Sequence, residues 1–574
     1  MITPMTKYSF IVPEGDKDQF LSKLQELGVV DIARSSKPVD EHSSELFGKI
    51  EGAKEEIRTL EKGEDAIIVS LKAGKRRLQE NIIASEIWGE FSREEIDRLG
   101  GYGLKIRLYS VSEKKFDKDW ENQYPLSIIA KKGSNVYFAV VGDGTFPLKE
   151  IAIPEKNASE YLSELERTNI EIANHSKELE NRKPEIPRLK AYIEGLKAEL
   201  DKYLAGVQGE NAAENTLCVF EGFAPQADDA RLKAEFDKLD IYYISEAARL
   251  EDNPPIKLKN NWFTRNFEVF TGMYGMPAYN EFDPTPFLSI FFLLFFAMCM
   301  GDAGYGILLI IIGMLLKGRE GGLARLYKLI ITLGIGTFFV GIVMGSAFGV
   351  DLSQQAWVPA GIKKLMITGE IAGYSAQMVL ALGIGVLHIS LAMITKAIWS
   401  IRKEGFKNSL STLGWTLLIV GSVIVLATAL VGLVDENTAK LVIIIIAAVS
   451  CLGIFLFNKW GRNPLINVGS GLWDTYSMAS GLMGDVLSYI RLYALGLSGG
   501  MLGSTFNTIA EMVKGSDPTW QWIPFVLILL VGHALNLAMS CLGAFVHPLR
   551  LNFVEFFKNS GYEGKGTTYN PLKK

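Results

Sequence analysis

The chain has 574 residues and a formal net charge of -5, with 59 basic and 64 acidic side chains. It lacks a strongly basic tract, which argues against nucleic acid, where neutralising phosphate dominates binding. Its cysteines, Cys218, Cys299, Cys451 and Cys541, lie too far apart for a disulfide framework or a zinc site.

The opening MITPMTKYSFIVPEGD has neither the basic n-region nor the apolar h-region of a signal peptide, so the first half is expected in the cytoplasm. Lys7 to Val12 predicts a strand, Lys17 to Leu27 a helix and Val29 to Ile32 a second strand, together a small α/β unit. A long helix follows, with apolar residues at Leu46, Ile50, Ala53, Ile57 and Leu60. A second carries a seven-residue repeat at Leu165, Ile172, Leu179, Ile186, Ile193 and Leu200, the seam of a coiled coil. Leu189, Leu196 and Tyr203 complete this seam after Pro187, whereas Thr168, His175 and Arg182 fill the companion positions before it. Pro184 and Pro187 should bend or break the helix. Between these arms Gly103 to Val111, Leu126 to Ala130 and Asn135 to Val141 predict the strands of a second lobe, and Leu217 to Gly222 begins a third piece. Paired helices of this kind read as a spacer.

From Pro286 onward apolar runs recur between short polar loops. The expected domains are therefore a cytosolic arm over 1–280 and a membrane domain over 281–574. Spans near 286–301, 303–316, 329–350, 376–395, 413–434, 441–457, 472–512 and 520–557 give eight crossings and return the C-terminus to the cytoplasm. Loops placed inside carry Lys317, Arg319, Arg325 and Lys328, then Lys396, Arg402, Lys403 and Lys407, then Lys459 and Arg462. Outside loops hold few, balanced charges such as Asp435, Glu436 and Lys440, in keeping with the positive-inside rule. The first pair is short for two crossings of about 20 residues each.

The last two spans carry the unusual chemistry. Arg491 lies in GDVLSYIRLYALGLSGG and Arg550 in CLGAFVHPLRLNFVEFF. A guanidinium at a bilayer centre costs roughly 3 kcal/mol on insertion scales, so it is normally kept for a task. Along the final helix His533, Asn536, Ser540, Gly543, His547 and Arg550 follow at steps of three and four, a polar stripe about 25 Å long at 1.5 Å per residue. On the partner, Gly481, Gly484, Asp485, Ser488 and Arg491 share a face, followed by Gly496, Gly499, Gly500 and Gly503. A continuous helix from Trp520 to Phe557 would be about 57 Å long, so both helices are expected to tilt. Taken singly, these residues have bland readings. Glycine runs pack helices, Asp485 can pair with an arginine, Asp302 can cap the hairpin turn in CMGDAGYG, and Arg550 can snorkel. A polar stripe through the membrane together with two cations points instead to an ion path.

Several segments together resemble the subunit a family of V-type ATPases, called subunit I in bacterial and archaeal V/A-type enzymes. They are YGMPAYNEFDPTPF at 274–287, FFAMCMGDAGYG, LSYIRLYALGLS, HPLRLNFVEFF and the trailing GYEGKGTTYNPL, with GVVDI and VFEGFAP in the first half. The resemblance covers nearly the whole chain. It implies an α-helical membrane protein with an elongated cytosolic α/β plus coiled-coil domain and eight transmembrane helices, the last two long and tilted. It implies a stator that faces a rotating proteolipid ring, is anchored by peripheral stalk subunits, and works with the central-stalk and ATP-hydrolysing subunits in a lipid bilayer. In that family each ring carboxylate meets a fixed arginine between two half-channels. The cation favours the ionised carboxylate and blocks a direct leak.

Arg491 matches the family's essential arginine, Arg550 the second arginine and His547 a family histidine. Eukaryotic members have a histidine where this chain has Asp485 and a glutamate where it has Ser540. Asp485, Ser488 and Tyr489, with His533, Asn536, Ser540 and His547, are the candidate half-channel lining. Pro548 is expected to kink the last helix and free the carbonyl of Ala544. GYEGKGTT lacks the spacing of a phosphate loop, so no nucleotide site, cofactor or metal is expected and the chain is read as a non-catalytic subunit. The compact arm suggests a prokaryotic plasma membrane with both termini cytoplasmic. The rival reading is a self-contained transporter or channel with a regulatory coiled coil, which would need its own mid-membrane carboxylate or an internal repeat. A purely structural membrane anchor is the third.

Overall fold

A computed structural model describes the chain except residues 36, 143, 145, 213–215, 240, 319–321, 323–325, 368, 372, 431, 457–463 and 515–521. The loop cations Arg319, Arg325, Lys459 and Arg462, and Trp520, therefore lie outside the described residues. Two compact units emerge. One comprises Met1–Glu14, Val29–Ile32 and Glu210–Pro571, the other Gly15–Gly28, Ala33–Gly209 and Leu572–Lys574. The longer strands, with one short edge piece and one two-residue strand, are β1 (Met5–Pro13), β2 (Asp31–Ile32), β3 (Ile106–Ser112), β4 (Leu126–Lys132), β5 (Asn135–Val141), β6 (Glu210–Ala212), β7 (Leu217–Pro225) and β8 (Tyr242–Ala247).

The second unit holds α1 (Lys17–Leu27), α2 (Glu41–Lys62), α3 (Ala66–Glu86), α4 (Ala158–Arg182) and α5 (Ile186–Val207). Asp40 starts α2 with a capping box: its carboxylate accepts from the Ser43 amide at 2.8 Å, while Ser43 Oγ accepts from the Asp40 amide at 3.0 Å. The Ser43 hydroxyl and the Tyr203 phenol also donate to Asp40 and hold its carboxyl down at about 2. The apolar stripe of α2 at Leu46, Ile50, Ala53 and Ile57 packs against Ile193, Leu196, Leu200 and Leu204 of α5. The next layer is Leu60, Ile68 and Leu179.

The heptad seam thus runs across the prolines. The chain makes one 3₁₀ turn at Lys183–Glu185 and resumes as α5 with Pro187 in its first turn, where no amide hydrogen is required. Helix α3, absent from the sequence expectations, packs on α4. Its Ile68, Leu71, Leu78 and Ile82 form the more buried stripe, while Ile67, Val69 and Ile83 remain exposed. Strands β3, β5 and β4 form an antiparallel sheet in that order, as expected for the second lobe, around Tyr109, Val136, Phe138 and Val140.

In the first unit the sheet order is β2-β7-β1-β8, with β6 on β7. Strand β7 pairs antiparallel with β1 along its full length, from Met5 opposite Pro225 to Pro13 opposite Leu217. Leu217–Pro225 is therefore not a third piece but the central partner of the first strand. Burial alternates along β1, with Tyr8, Phe10 and Val12 inward against Phe220 and Phe236, the latter from α6 (Asp229–Phe236). Burial and a hydrogen bond to Asp229 push the Tyr8 phenol up.

The longer helices that follow are α7 (Thr285–Met300), α8 (Ala303–Leu316), α9 (Tyr327–Met344), α10 (Ala376–Glu404), α11 (Leu410–Leu430), α12 (Glu436–Cys451), α13 (Pro464–Lys514) and α14 (Trp522–Arg550). Among the described residues, five helical stretches are long and apolar enough to cross a membrane: Tyr327–Met344, Ala376–Glu404, Leu410–Ala429, Glu436–Phe455 and Trp522–Ser560. The chain is a multi-pass membrane protein. Helices α7 and α8 are apolar but shorter, and α13 is a single helix of 51 residues that carries Asp474, Asp485 and Arg491. By length and apolarity the count reaches five of the eight expected crossings.

Asp302 caps α8, its Oδ1 accepting from the amides of Gly304 at 2.8 Å and Tyr305 at 3.2 Å. The same carboxylate accepts from the amides of Phe348 and Gly349, each at 2.8 Å, and from Ser346 Oγ at 3.2 Å. One buried carboxylate so fixes both the α7–α8 turn and the turn after α9.

Past the last helix the tail laces back through its own unit. Tyr562 donates to the Gly275 carbonyl at 2.6 Å, Glu281 accepts from the Glu563 amide at 2.8 Å, and Gly566 bonds Met276 at 2.8 Å. Thr568 bridges Ile256, and the Asn570 amide donates to Asp31 of β2 at 2.8 Å.

Candidate functional site

Helices α13 and α14 run antiparallel, and three cross-links set their register. His533 meets Asn507 at 3.0 Å, Asn536 donates to the Gly499 carbonyl at 2.9 Å, and Asn559 donates to Asp485 at 2.8 Å. As the numbers fall along one helix they rise along the other, which puts Arg491 and Arg550 at the same level. His547 lies within electrostatic reach of both. Arg491 is half-buried and Arg550 exposed. Among the described residues neither forms an ion pair or a hydrogen bond.

On the side of this level nearer the 514–522 connection, one network gathers His533, Asn536 and Ser540 from the predicted stripe. Asn536 donates to the Tyr305 hydroxyl at 2.8 Å, that hydroxyl is 2.8 Å from His533 Nδ1, and Ser540 donates to Asn536 Oδ1 at 3.3 Å. The roles follow from counting hydrogens. Asn507 Oδ1 can only accept, so in a neutral ring Nδ1 is bare and takes the Tyr305 hydroxyl hydrogen. His533 then carries its hydrogen on Nε2 and donates it to Asn507 Oδ1, while the Asn507 amide donates to the Phe348 carbonyl at 2.8 Å. Sequence reasoning missed Tyr305 and Asn507. The signal for Tyr305 was its place in GDAGYG, directly after the capping aspartate.

On the same side of the arginine level a cleft of about 400 Å³ opens between helices. Its polar lining includes Ser346, Asp351, Gln377, Tyr493 and Ser504. Tyr493 lies two residues past Arg491.

On the side nearer the C-terminal tail stand Asp485, Ser488 and a group the stripe did not include, Glu555. Asp485 is 8% exposed, takes the Asn559 amide and has Lys558 Nζ at 3.7 Å. Ser488 donates to its own helix at the Gly484 carbonyl, 3.1 Å away. Tyr489 points into α10, where its buried hydroxyl lies 2.9 Å from His388 Nδ1 and the His388 ring stacks on Phe556 at 4.7 Å.

Pro548 is buried within α14, which stays α-helical through Arg550. A π-helix then runs over Leu551–Phe556, and Asn552 donates to the Pro548 carbonyl at 2.8 Å. The widened turn just past the arginine was not among the sequence expectations, which placed the irregularity at Pro548. The first three polar members of the stripe, His533, Asn536 and Ser540, join one network, while Asp485 and Ser488 of the partner face lie on the other side of Arg491, His547 and Arg550. Among the described residues no cluster of three or more His, Cys, Asp or Glu could hold a metal ion.

The V-type ATPase 116kDa subunit family matches residues 155–346, which cover α4 to the end of α9. The A-type ATP synthase subunit I of Pyrococcus horikoshii is 28% identical over 95% of this chain and 74% of its own length. That of Methanocaldococcus jannaschii is 30% identical over 62% of this chain and 54% of its own. The V-type ATP synthase subunit I of Borreliella burgdorferi is 26% identical over 86% of this chain and 83% of its own. By sequence the chain is similar to the subunit I proteins of A-type and V-type ATP synthases, and the likeness runs along nearly all of it.

Proposed function

We propose that the chain is the membrane stator of a rotary A/V-type ATPase, a non-catalytic subunit that passes ions to and from a proteolipid ring. The observation that carries this is the arginine pair. Two guanidinium groups at one level of a membrane helix pair form no ion pair among the described residues, although keeping a cation there costs roughly 3 kcal/mol or more. A mobile carboxylate on a neighbouring protein would supply the counter-charge. It would ionise as it meets Arg491 and give up its ion.

The polar networks on either side of that level suit two offset half-channels. In this reading the outer one runs by the 400 Å³ cleft, Tyr305, His533, Asn536 and Ser540, and the inner one by Asp485 and Ser488. His547, between the arginines, faces both. The reading also takes α7, α8 and α13 as crossings, for eight in all, with both termini in the cytoplasm of a prokaryotic cell. It takes the coiled coil as the anchor for peripheral stalks. ATP chemistry then belongs to partner subunits.

The test is to purify the complex carrying Arg491→Ala and measure ATP-driven ion uptake in vesicles. Normal assembly with uptake abolished is expected. Uptake at the unmodified rate, or purification without a carboxylate-bearing ring protein, would overturn the reading in favour of a self-contained transporter or an anchor.

A further inference from the structure

We propose that Glu555 is the carboxyl that exchanges protons with the cytoplasm on the inner side of the arginine pair, and that its neighbour Asp485 is a structural tie. The inference rests on the stator reading and names a group which that reading leaves open.

The two carboxyls stand close together but are held differently. Asp485 takes the Asn559 amide at 2.8 Å with Lys558 at 3.7 Å, so it binds α13 to the end of the last helix. Glu555 is 2% exposed, yet its Oε2 has no hydrogen-bond partner. A buried carboxyl oxygen to which nothing donates is expensive to keep, and packing alone gives no reason for it. The cost falls when that oxygen bears a proton which it can donate onward. Folding would have been served as well by an amide or an apolar side chain at this position.

Its surroundings fit a proton relay. Ser488, Asp485 and Tyr489 of α13 and Arg550 of its own helix lie within interaction range of the carboxyl. Helix α10 meets this stretch through His388, stacked on Phe556. Ser488 is three residues before Arg491 and so shares its helix face, which leads from Glu555 to the level where a ring carboxylate would stand. Glu555 sits in the π-helix Leu551–Phe556, a widened turn of the kind that recurs at functional sites. Asn559 holds that turn by donating to the Glu555 backbone carbonyl at 2.7 Å.

The step balances without a redox partner. Protonated Glu555 passes its proton through the Ser488 side to the ring carboxylate leaving Arg491. It becomes a carboxylate and regains one proton from the cytoplasm. Each ring step moves one proton through it.

The test uses the assembled complex in vesicles, with a pH-sensitive dye reporting ATP-driven proton uptake. Glu555→Gln should lower uptake at least tenfold, while Glu555→Asp should keep transport with its pH profile displaced. A shifted E555D profile supports the proposal even if E555Q does not assemble, and an E555D profile superimposable on the unmodified one overturns it. Uptake by E555Q at the unmodified rate also overturns it, as does uptake that follows sodium rather than protons. If Arg491→Ala abolishes uptake while E555Q leaves it intact, this proposal alone fails. If Arg491→Ala is itself silent, the stator reading fails with it.

Discussion

The hydroxyl of Tyr489 lies 2.9 Å from Nδ1 of His388 in a pocket closed by Phe291, Phe295 and Phe556. Both residues are fully buried and His388 Nε2 has no partner, so this contact is the imidazole's one hydrogen bond among the described residues. Removing the hydroxyl with Tyr489→Phe strands both ring nitrogens, a cost of about 1–3 kcal/mol. The thermal midpoint of the detergent-purified protein should fall. Pairing Y489F with His388→Phe should recover part of the loss, and strictly additive losses would show that the two side chains do not act together.

Arg491→Lys tests the need for a planar fork. Lysine keeps the charge but cannot bind a carboxylate through two parallel hydrogen bonds. ATP-driven uptake should fall by about tenfold or more with assembly intact. Arg550→Lys, at an exposed position, should be milder. Equal loss in the two variants would mean that they share one role.

The hydrogen-bond chain through Tyr305 fixes the tautomer of His533. In Tyr305→Phe the Nδ1 atom loses its donor and Asn536 one of its acceptors, at a net cost of about 1–2 kcal/mol. Nitrogen chemical shifts of labelled histidine should report a mixture of tautomers in place of the Nε2–H form. An unchanged spectrum would refute the assignment.

At Gly566 the backbone of the tail runs so close to its neighbour that an added Cβ would fall 1.9 Å from the Pro277 carbonyl oxygen. Gly566→Ala should therefore detach the tail. Limited proteolysis should cut the variant between 561 and 571 while the unmodified protein resists there.

The Asp40 cap has a definite pH window. Its carboxyl is held down at about 2, first by the Ser43 hydroxyl and then by Tyr203, against about 3.9 in an unfolded chain. A depressed carboxyl stabilises the fold above its unfolded value, and that contribution is lost as pH falls from about 4 through about 2. Hydrogen exchange at the first turn of α2 should quicken across that window. Asp40→Asn should flatten the response.

Much of this was readable beforehand, for identifiable reasons. Lys17–Leu27 emerged as a helix because Phe20, Leu21 and Leu24 repeat at helical spacing, and the coiled-coil seam because Leu179, Ile193 and Leu200 keep a seven-residue period across the prolines. Helix α3 was not expected because Lys75 interrupts its stripe of Ile68, Leu71, Leu78 and Ile82, and the exposed Ile67, Val69 and Ile83 off that stripe blur the helical period. The pairing of β7 with β1 is long-range, and local pattern carries no information about partners so distant. The stripe His533, Asn536 and Ser540 was legible as helical spacing, but the partner Tyr305 that joins its members and the carboxyl of Glu555 on the other side of the arginines were not. Tyr305 comes from another helix, and Glu555 lies beyond a π turn that breaks the period on which the stripe was read.

The lacing of the tail has a mechanical consequence. The end of the last membrane helix is joined to the sheet of its own unit by the segment that carries Ile256 and Gly275, and again by the returning chain that reaches Asp31. A single polypeptide tether bears tension but swivels freely about its bonds. Two tethers set side by side and stitched together by backbone hydrogen bonds form a strap that cannot swivel without tearing its seam. A sideways push on the last helix is therefore passed to the sheet as a twist rather than dissipated at a hinge.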